Sequence, residues 1–233
     1  MDLETLRKGK VLLIDKPLNW TSFDIVNKIR YAILKKYNLK KFKVGHAGTL
    51  DPLATGLLIV CVGKATKTIH QFQNLDKEYT GKFHVGATTP SYDMETQVDQ
   101  TFDTEHITEE QILKTAEEFT GKIMQVPPVF SAIKKNGKKL YEHARKGQEV
   151  EIEPREVEIK EFEILSVNLP EVSFRVKVSK GTYIRSLAYD FGKALGAGAY
   201  LSELRRTKTG DFSVKDAITI DEFIEELQSG NEN

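Results

Sequence analysis

Asp51 is the residue in this chain whose surroundings point most directly to chemistry. It is the only acid in Val44–Gly56, V-G-H-A-G-T-L-D-P-L-A-T-G, a stretch that also carries three glycines, two threonines and His46. Loops of this composition commonly bind or react. Pro52 has a fixed φ and drives the residue before it toward extended geometry, so the Asp51 carboxylate is rigidly aimed and forms a candidate reactive centre. Three other side chains could join it: Tyr79, Arg185 and His46. Taken singly each has a plain explanation, with Asp-Pro a turn, Tyr79 a core aromatic, Arg185 a surface cation and His46 a loop residue.

The elements around these residues can be read from their spacing. A strand is expected at Val11–Ile14, followed by a helix capped by Thr21 or Ser22, with Ile25, Ile29 and Ile33 on one face, ending near Asn38. Leu57–Val62 is six consecutive apolar residues, the pattern of a strand buried on both faces. Gly63–Thr66 then starts a short helix. Lys77–Val85 alternates, which turns Tyr79, Phe83 and Val85 inward. Thr108 and Gln111 form a capping box ahead of a helix stopped by Gly121. Strands are expected at Val157–Ile164, Val172–Val178 and Tyr200–Thr207, with a helix after Tyr183 that carries Arg185 in its first turn and a short helix after Asp221. Between them Val126–Pro154 reads as a projecting arm, with Pro127-Pro128, an Asn136-Gly137 hairpin signal and a short basic helix around Tyr141–Lys146. Strands outnumber helices and no linker divides the chain. The expected fold is α+β, a mixed, mostly antiparallel central sheet with flanking helices, as one domain over 1–233 with the arm inserted at about 126–154.

Composition bounds the function. The 233 residues suffice for a full core, and the longest apolar run is far short of a bilayer span. The charged N-terminus has no apolar segment behind it, so a cytoplasmic location is expected. The single Cys61 lies in the apolar run and is expected as a small buried hydrophobe. Net charge is zero, but as a sum of opposed blocks: Lys28–Lys43 holds seven basic residues and no acid, Lys134–Lys146 holds six against Glu142 alone, and Asp93–Glu118 holds nine acids against one Lys. Basic sectors attract polyanions whatever the total, which makes nucleic acid a candidate partner; the same blocks also read as solvated helix faces.

Several familiar chemistries lack their signature. The five histidines show no metal-ligand spacing and one Cys cannot build a zinc site, so no metal is expected. Gly63-Lys64-Ala65-Thr66 has the wrong spacing for a phosphate loop, no G-x-G-x-x-G is present, and no G-x-S-x-G marks a serine hydrolase. No nucleotide cofactor is expected. From residue types alone the chain is a nucleic-acid-binding domain with a carboxylate that could react.

The segment GHAGTLDPLATGLLIV at 45–60 closely resembles the signature of the TruB family of tRNA pseudouridine synthases. LLIDKPLNWTSFD at 12–24, KEYTGKFHVGATTPSYDMET at 77–96, VPPVFSAIKKNGKKLYEHARKG at 126–147, VSKGTYIRSLAYDFG at 178–192 and LRRTKTGDFSVKDA at 204–217 also look like family segments, in family order. Their joint occurrence is far more specific than any one of them. Bacterial-type members commonly add a small C-terminal RNA-binding PUA domain, and none is expected here.

The resemblance implies the pseudouridine synthase fold with a thumb-like arm. It implies an isomerase that converts uridine 55 in the T-loop of tRNA to pseudouridine without cofactor or metal. By resemblance Asp51 is the nucleophile, Arg185 its ion-pair partner, and Tyr79 the ring stacked on the uracil. The target base must leave its stack, and His46 is the implied occupant of the vacated space. Tyr183 and Leu204 fall in motifs that line the family's uracil pocket, and Lys16 in its N-terminal segment near the active site. Lys134, Lys135, Lys138 and Lys139 are the arm's implied phosphate contacts. The implied partner is the T-arm stem-loop of tRNA, taken by a monomer without a membrane. A non-catalytic RNA-binding or chaperone protein would keep the basic blocks without needing Asp51, and a related synthase acting on another RNA would keep Asp51 and change the arm.

Overall fold

The computed structural model describes residues 1–131, 134–135, 138–140 and 150–229. In chain order, α1 (Leu3–Lys8), β1 (Lys10–Lys16), α2 (Ser22–Lys36), β2 (Val44–Ala47) and β3 (Ala54–Val62) lead through a 3₁₀ turn, Gly63–Thr68, to α3 (Ile69–Gln73) and β4 (Lys77–Val85). Next come β5 (Ala87–Thr88), β6 (Gln100–Thr101), α4 (Glu109–Glu118), β7 (Gly121–Gln125), β8 (Lys134–Lys135), β9 (Lys138–Lys139), β10 (Arg155–Asn168) and β11 (Glu171–Val178). The chain ends through α5 (Ile184–Ala194), β12 (Ala199–Thr209), β13 (Phe212–Ser213) and α6 (Ile220–Ser229). The chain forms two compact units, Met1–Tyr79 with Leu204–Asn233, and Thr80–Glu203.

In the first unit β3 is the central strand. It pairs antiparallel with β1, from Lys10↔Val62 to Lys16↔Gly56, and antiparallel with β2, from Val44↔Val62 to Ala47↔Ile59. It also pairs parallel with β12 at Leu204↔Ala54 to Arg206↔Gly56. Leu57–Val62 is buried throughout, as an apolar run with no wet face requires. One cluster, Ala47, Leu57, Ile59 and Cys61, packs against Val11, Leu13, Ile69 and Phe72. Burial pushes the Cys61 thiol up to about 11, so it is an inert core residue as the sequence implied. Thr21, not Ser22, caps α2, in a reciprocal capping box with Asp24.

The stretch read as one loop, 44–56, is strand at both ends, because both ends find partners on β3 and β12. Only 48–53 is left outside the ladders. Gly56 is essential to this: at φ +101° its Cβ would lie 2.3 Å from the Arg206 carbonyl oxygen, so only glycine lets the parallel strands meet.

In the second unit β4, β11, β10 and β7 lie side by side in that order. The β10–β11 and β10–β7 ladders are antiparallel. Phe83 stacks on Phe174 at 4.1 Å between centroids and meets Phe162 and Phe191 at wider angles, so one aromatic cluster joins β4, β10, β11 and α5. Each such ring buried contributes on the order of 1.5–3 kcal/mol. Strand β7 was not foreseen: Gly121 reads as the stop of the preceding helix, and the residues between it and the arm were assigned to no element. In the arm, the β8 and β9 backbones pair at Lys134↔Lys139 and Lys135↔Lys138. The Asn136-Gly137 turn and the basic helix expected around Tyr141–Lys146 lie outside the described residues. The fold is α+β with a mostly antiparallel sheet, and no described helix is long and apolar enough to cross a membrane.

Candidate active site

The 48–53 segment is pinned on both sides of Asp51. Before it, the Leu50 N–H donates to Ser22 Oγ at 2.8 Å and Ser22 Oγ donates back to the Leu50 carbonyl at 3.1 Å. After it, the Pro52 carbonyl accepts from the Asn19 N–H at 2.8 Å and from Lys16 Nζ at 3.5 Å, and Ala54 N–H closes a turn onto the Asp51 carbonyl at 3.0 Å. The aimed carboxylate that Asp-Pro suggested is thus built by its neighbours as well as by the proline.

Two buried cations flank the segment. Lys16 is fully buried and donates to the carbonyls of Pro17 and Trp20 at 2.9 and 2.6 Å. Burial pulls its pKa down to about 8, while the Asp51 charge pushes it back up and Arg206 pulls it down further. Arg206, 1% exposed, donates Nε to the Leu57 carbonyl at 2.7 Å and a terminal nitrogen to the Gly48 carbonyl at 3.1 Å. Arg206 thereby ties the start of the loop to β3. Sequence reading passed over it; its alternation with the outward Arg205, which pairs with Asp15 at 2.6 Å, was the available signal.

His46 lies on β2. Burial first, and then the Arg206 charge, lower its pKa, so the ring is neutral at physiological pH. Its Nδ1 is buried with no hydrogen-bond partner. Tyr79 faces inward on β4 as the alternation required, 8% exposed. Lys77, on the same face, is buried too and donates to the carbonyls of Gln73 and Leu75, both at 2.6 Å. Leu204 sits on β12 opposite Ala54. Asp51, Lys16, His46, Tyr79 and Leu204 all belong to the first unit.

Arg185, Tyr183 and the four arm lysines belong to the second. Arg185 is not the surface cation that its type alone suggests. Its Nε is 3.5 Å from Asp93 Oδ2, with both side chains nearly inaccessible at 5% and 7%, and it donates to the Ser91 carbonyl at 3.3 Å. Asp93 is in turn fixed through Oδ1, which accepts from Ser91 Oγ at 2.6 Å and the Glu95 N–H at 2.9 Å. The turn is held open by Tyr92 at φ +63°, whose ring stacks on Tyr189 of α5 at 4.2 Å. Ser91-Tyr92-Asp93 is therefore a cradle for Arg185, and Asp93 a site residue that spacing did not reveal.

Tyr183 caps the N-terminus of α5. Its ring lies under the Arg155 guanidinium at 4.9 Å, and its backbone N–H and carbonyl both bond the Gln125 amide. Among the described residues no three His, Cys, Asp or Glu side chains gather as a metal site would need.

The family profile "TruB family pseudouridylate synthase (N terminal domain)" matches residues 35–184, and "tRNA pseudouridylate synthase B C-terminal domain" matches 185–233. A relative in Flavobacterium johnsoniae named tRNA pseudouridine synthase B is 62% identical over 98% of this chain and 100% of its own length. Among solved structures, one titled a Cbf5-Nop10-Gar1 complex superposes with a TM-score of 0.74 at 32% identity, covering all of this chain. One titled an H/ACA RNP bound to a substrate RNA containing 2'-deoxyuridine gives 0.69 at 30% identity, again over the whole chain. This chain spans 58% and 59% of the length of those two chains. With both profiles and a full-length relative in agreement, the chain belongs to the TruB family of pseudouridylate synthases.

Proposed function

We propose that this protein isomerises uridine 55 in the T-loop of tRNA to pseudouridine. The observation that carries the reading is the 62% identity to a tRNA pseudouridine synthase B across that relative's whole length. The N1–C1′ bond breaks, the uracil turns, and a C5–C1′ bond forms while the C5 hydrogen is released to solvent. Asp51 attacks the sugar or base and holds the detached intermediate. Arg185 is the ion-pair partner of this carboxylate, the role that the family resemblance implies. Tyr79 stacks on the uracil and handles the C5 proton. Tyr183 and Leu204 line the base, and Lys16 in its protonated form places positive charge beside Asp51, an attraction supported by its effect on the Lys16 pKa.

Extruding the uridine costs on the order of a few kcal/mol. His46, flat and neutral by its lowered pKa, fills the space the base leaves. The segment 126–154 grips the RNA backbone through Lys134, Lys135, Lys138 and Lys139. The enzyme acts as a cytoplasmic monomer on the T-arm stem-loop and draws on no metal or cofactor.

The test is tritium release from tRNA labelled at C5 of uridine. One label is released per tRNA, and none when the T-loop uridine is replaced by cytidine; no release from the unaltered tRNA overturns the reading. Release that persists after the replacement assigns the activity to another uridine or RNA. Changing the four arm lysines to Ala weakens binding and lowers the slope of log affinity against log salt by about 0.7–0.9 for each phosphate no longer neutralised. An unchanged slope removes the arm from the interface.

A further inference from the structure

The segment 126–154 leaves the sheet of the second unit after Gln125, the last residue of β7, and returns at Arg155, the first of β10. Those two residues are register partners across the β7–β10 ladder. Both hold Tyr183. Gln125 is fully buried; its Nε2 donates to the Tyr183 carbonyl at 3.1 Å, and its Oε1 accepts from the Tyr183 N–H at 2.8 Å. Arg155 covers the Tyr183 ring and donates to the Gly181 carbonyl. One residue further on, the Val126 carbonyl accepts from Ser186 Oγ at 2.7 Å.

These contacts fix the cap residue of α5 from outside the helix. An N-cap is normally Ser, Thr, Asp or Asn, whose side chain bonds the first turn, and Tyr183 makes no side-chain cap bond. Instead one buried amide bonds both backbone groups of the cap residue, whose carbonyl also accepts the first helical bond from the Leu187 N–H at 3.1 Å. A buried donor or acceptor left unsatisfied costs more than a made bond contributes, so the joint has one stable arrangement. Arg185 lies two residues past the cap, on the turn this joint fixes.

We propose that Gln125 and Arg155 are positioning residues for the reaction: they root the RNA-gripping segment on the cap of α5, so engagement of RNA by that segment and the placement of Tyr183 and Arg185 are set together. The inference rests on the functional reading above, in which Tyr183 and Arg185 serve the uracil site.

The experiment measures single-turnover conversion of the T-arm stem-loop by the full chain carrying Gln125→Glu, Gln125→Met or Arg155→Lys, with the unaltered protein and Asp51→Asn as references. A protonated Glu reproduces the amide, one donor and one acceptor, whereas an ionised Glu offers no donor to the Tyr183 carbonyl. Burial holds such a carboxyl above its ordinary value, near 4.3. The rate of Gln125→Glu relative to the unaltered protein therefore rises roughly 10-fold from about pH 8.5 to about pH 5.5, with KM changed less than about 2-fold. Gln125→Met, with neither donor nor acceptor, is about 10-fold slow at both pH values, and Arg155→Lys about 3-fold slow through loss of the planar fork.

A merely structural role moves the unfolding temperature and the active fraction but leaves the pH ratio of Gln125→Glu flat, and a flat ratio overturns the assignment. So does Gln125→Met at the unaltered kcat, while an unaltered kcat for Arg155→Lys removes Arg155 from it. With Asp51→Asn inactive, those outcomes count against this inference alone. An active Asp51→Asn overturns the catalytic reading beneath it.

Discussion

Backbone carbonyls hold the buried cations of the first unit, and in the second a carboxylate joins a carbonyl around the buried Arg185. Arg206 bonds the carbonyls of Leu57 and Gly48, and Lys16 those of Pro17, Trp20 and Pro52. Arg185 meets Asp93, itself fixed by Ser91 and the Glu95 N–H. The two solutions serve different ends. Carbonyl coordination makes the charge part of the loop's geometry, so the 48–53 segment has its shape only while the cations are present. A carboxylate partner adds a charged side-chain anchor to the carbonyl, in return for a charge that is costly to orphan.

The largest effect expected is on chemistry. Asp51→Asn preserves the turn, whose closing bond runs from the Ala54 N–H to the backbone carbonyl of residue 51. Isomerisation nonetheless falls by a factor on the order of 10⁴ or more, with RNA affinity close to unaltered. Tritium release and filter binding on the same preparation separate the two. Measurable turnover by the variant breaks the view that the first unit's pinned loop exists to aim this carboxylate.

Asp93→Ala comes next and acts on stability. It leaves Arg185 without the buried carboxylate opposite Nε, and breaking one side of such a pair costs about 3–5 kcal/mol. Urea unfolding reads the loss. Asp93→Asn, which keeps the hydrogen-bond acceptor, loses less. Equal stability for all three proteins means the pair is not what holds Arg185, and the contrast between the units collapses.

Lys16 gives a pH signature of the carbonyl-held kind. Its pKa is about 8 in the folded protein against 10.5 for the ordinary side chain. Between those values the unfolded chain keeps a proton that the folded protein gives up, so stability rises with pH across the window. Below it the folded protein bears the whole cost, about 3 kcal/mol from the pKa difference. Unfolding of wild type and Lys16→Met at both ends of the window isolates the term. The wild-type advantage grows toward the alkaline end, and a constant difference would show that Lys16 titrates normally.

What could be read from the chain and what could not follows the same division. Leu57–Val62, the Lys77–Val85 alternation and the Thr108–Gln111 box were legible because each is local: periodicity or a cap motif within a few residues fixes the element. The aimed Asp51 was legible through its proline. The Asp93 cradle was not, since the partners are distant in sequence and the turn depends on a tyrosine at positive φ, a conformation its type disfavours. Buried lysines were equally hidden. Lys is a surface residue by default, and the carbonyls gathered around Lys16 and Lys77 offset that default. Strands β2 and β7 escaped because short segments beside glycines become strand only through the ladder they join.

The smallest effect tests the carbonyl-held region by geometry and not by charge. Arg206→Lys keeps the positive charge beside His46 and Lys16 but cannot reach the Leu57 and Gly48 carbonyls together, because an ammonium lacks the guanidinium's spread of donors. One charge-assisted bond is lost, about 1.5–3 kcal/mol by unfolding. If charge alone held the loop, kcat would survive this substitution. If the bonds to Gly48 and Leu57 shape the segment that presents Asp51, kcat falls about 10-fold with KM little changed. The His46 pKa is an internal control: Arg206 lowers it by charge, so it stays low in Arg206→Lys and rises in Arg206→Met. A low His46 pKa together with a reduced kcat in the lysine variant assigns the role to geometry.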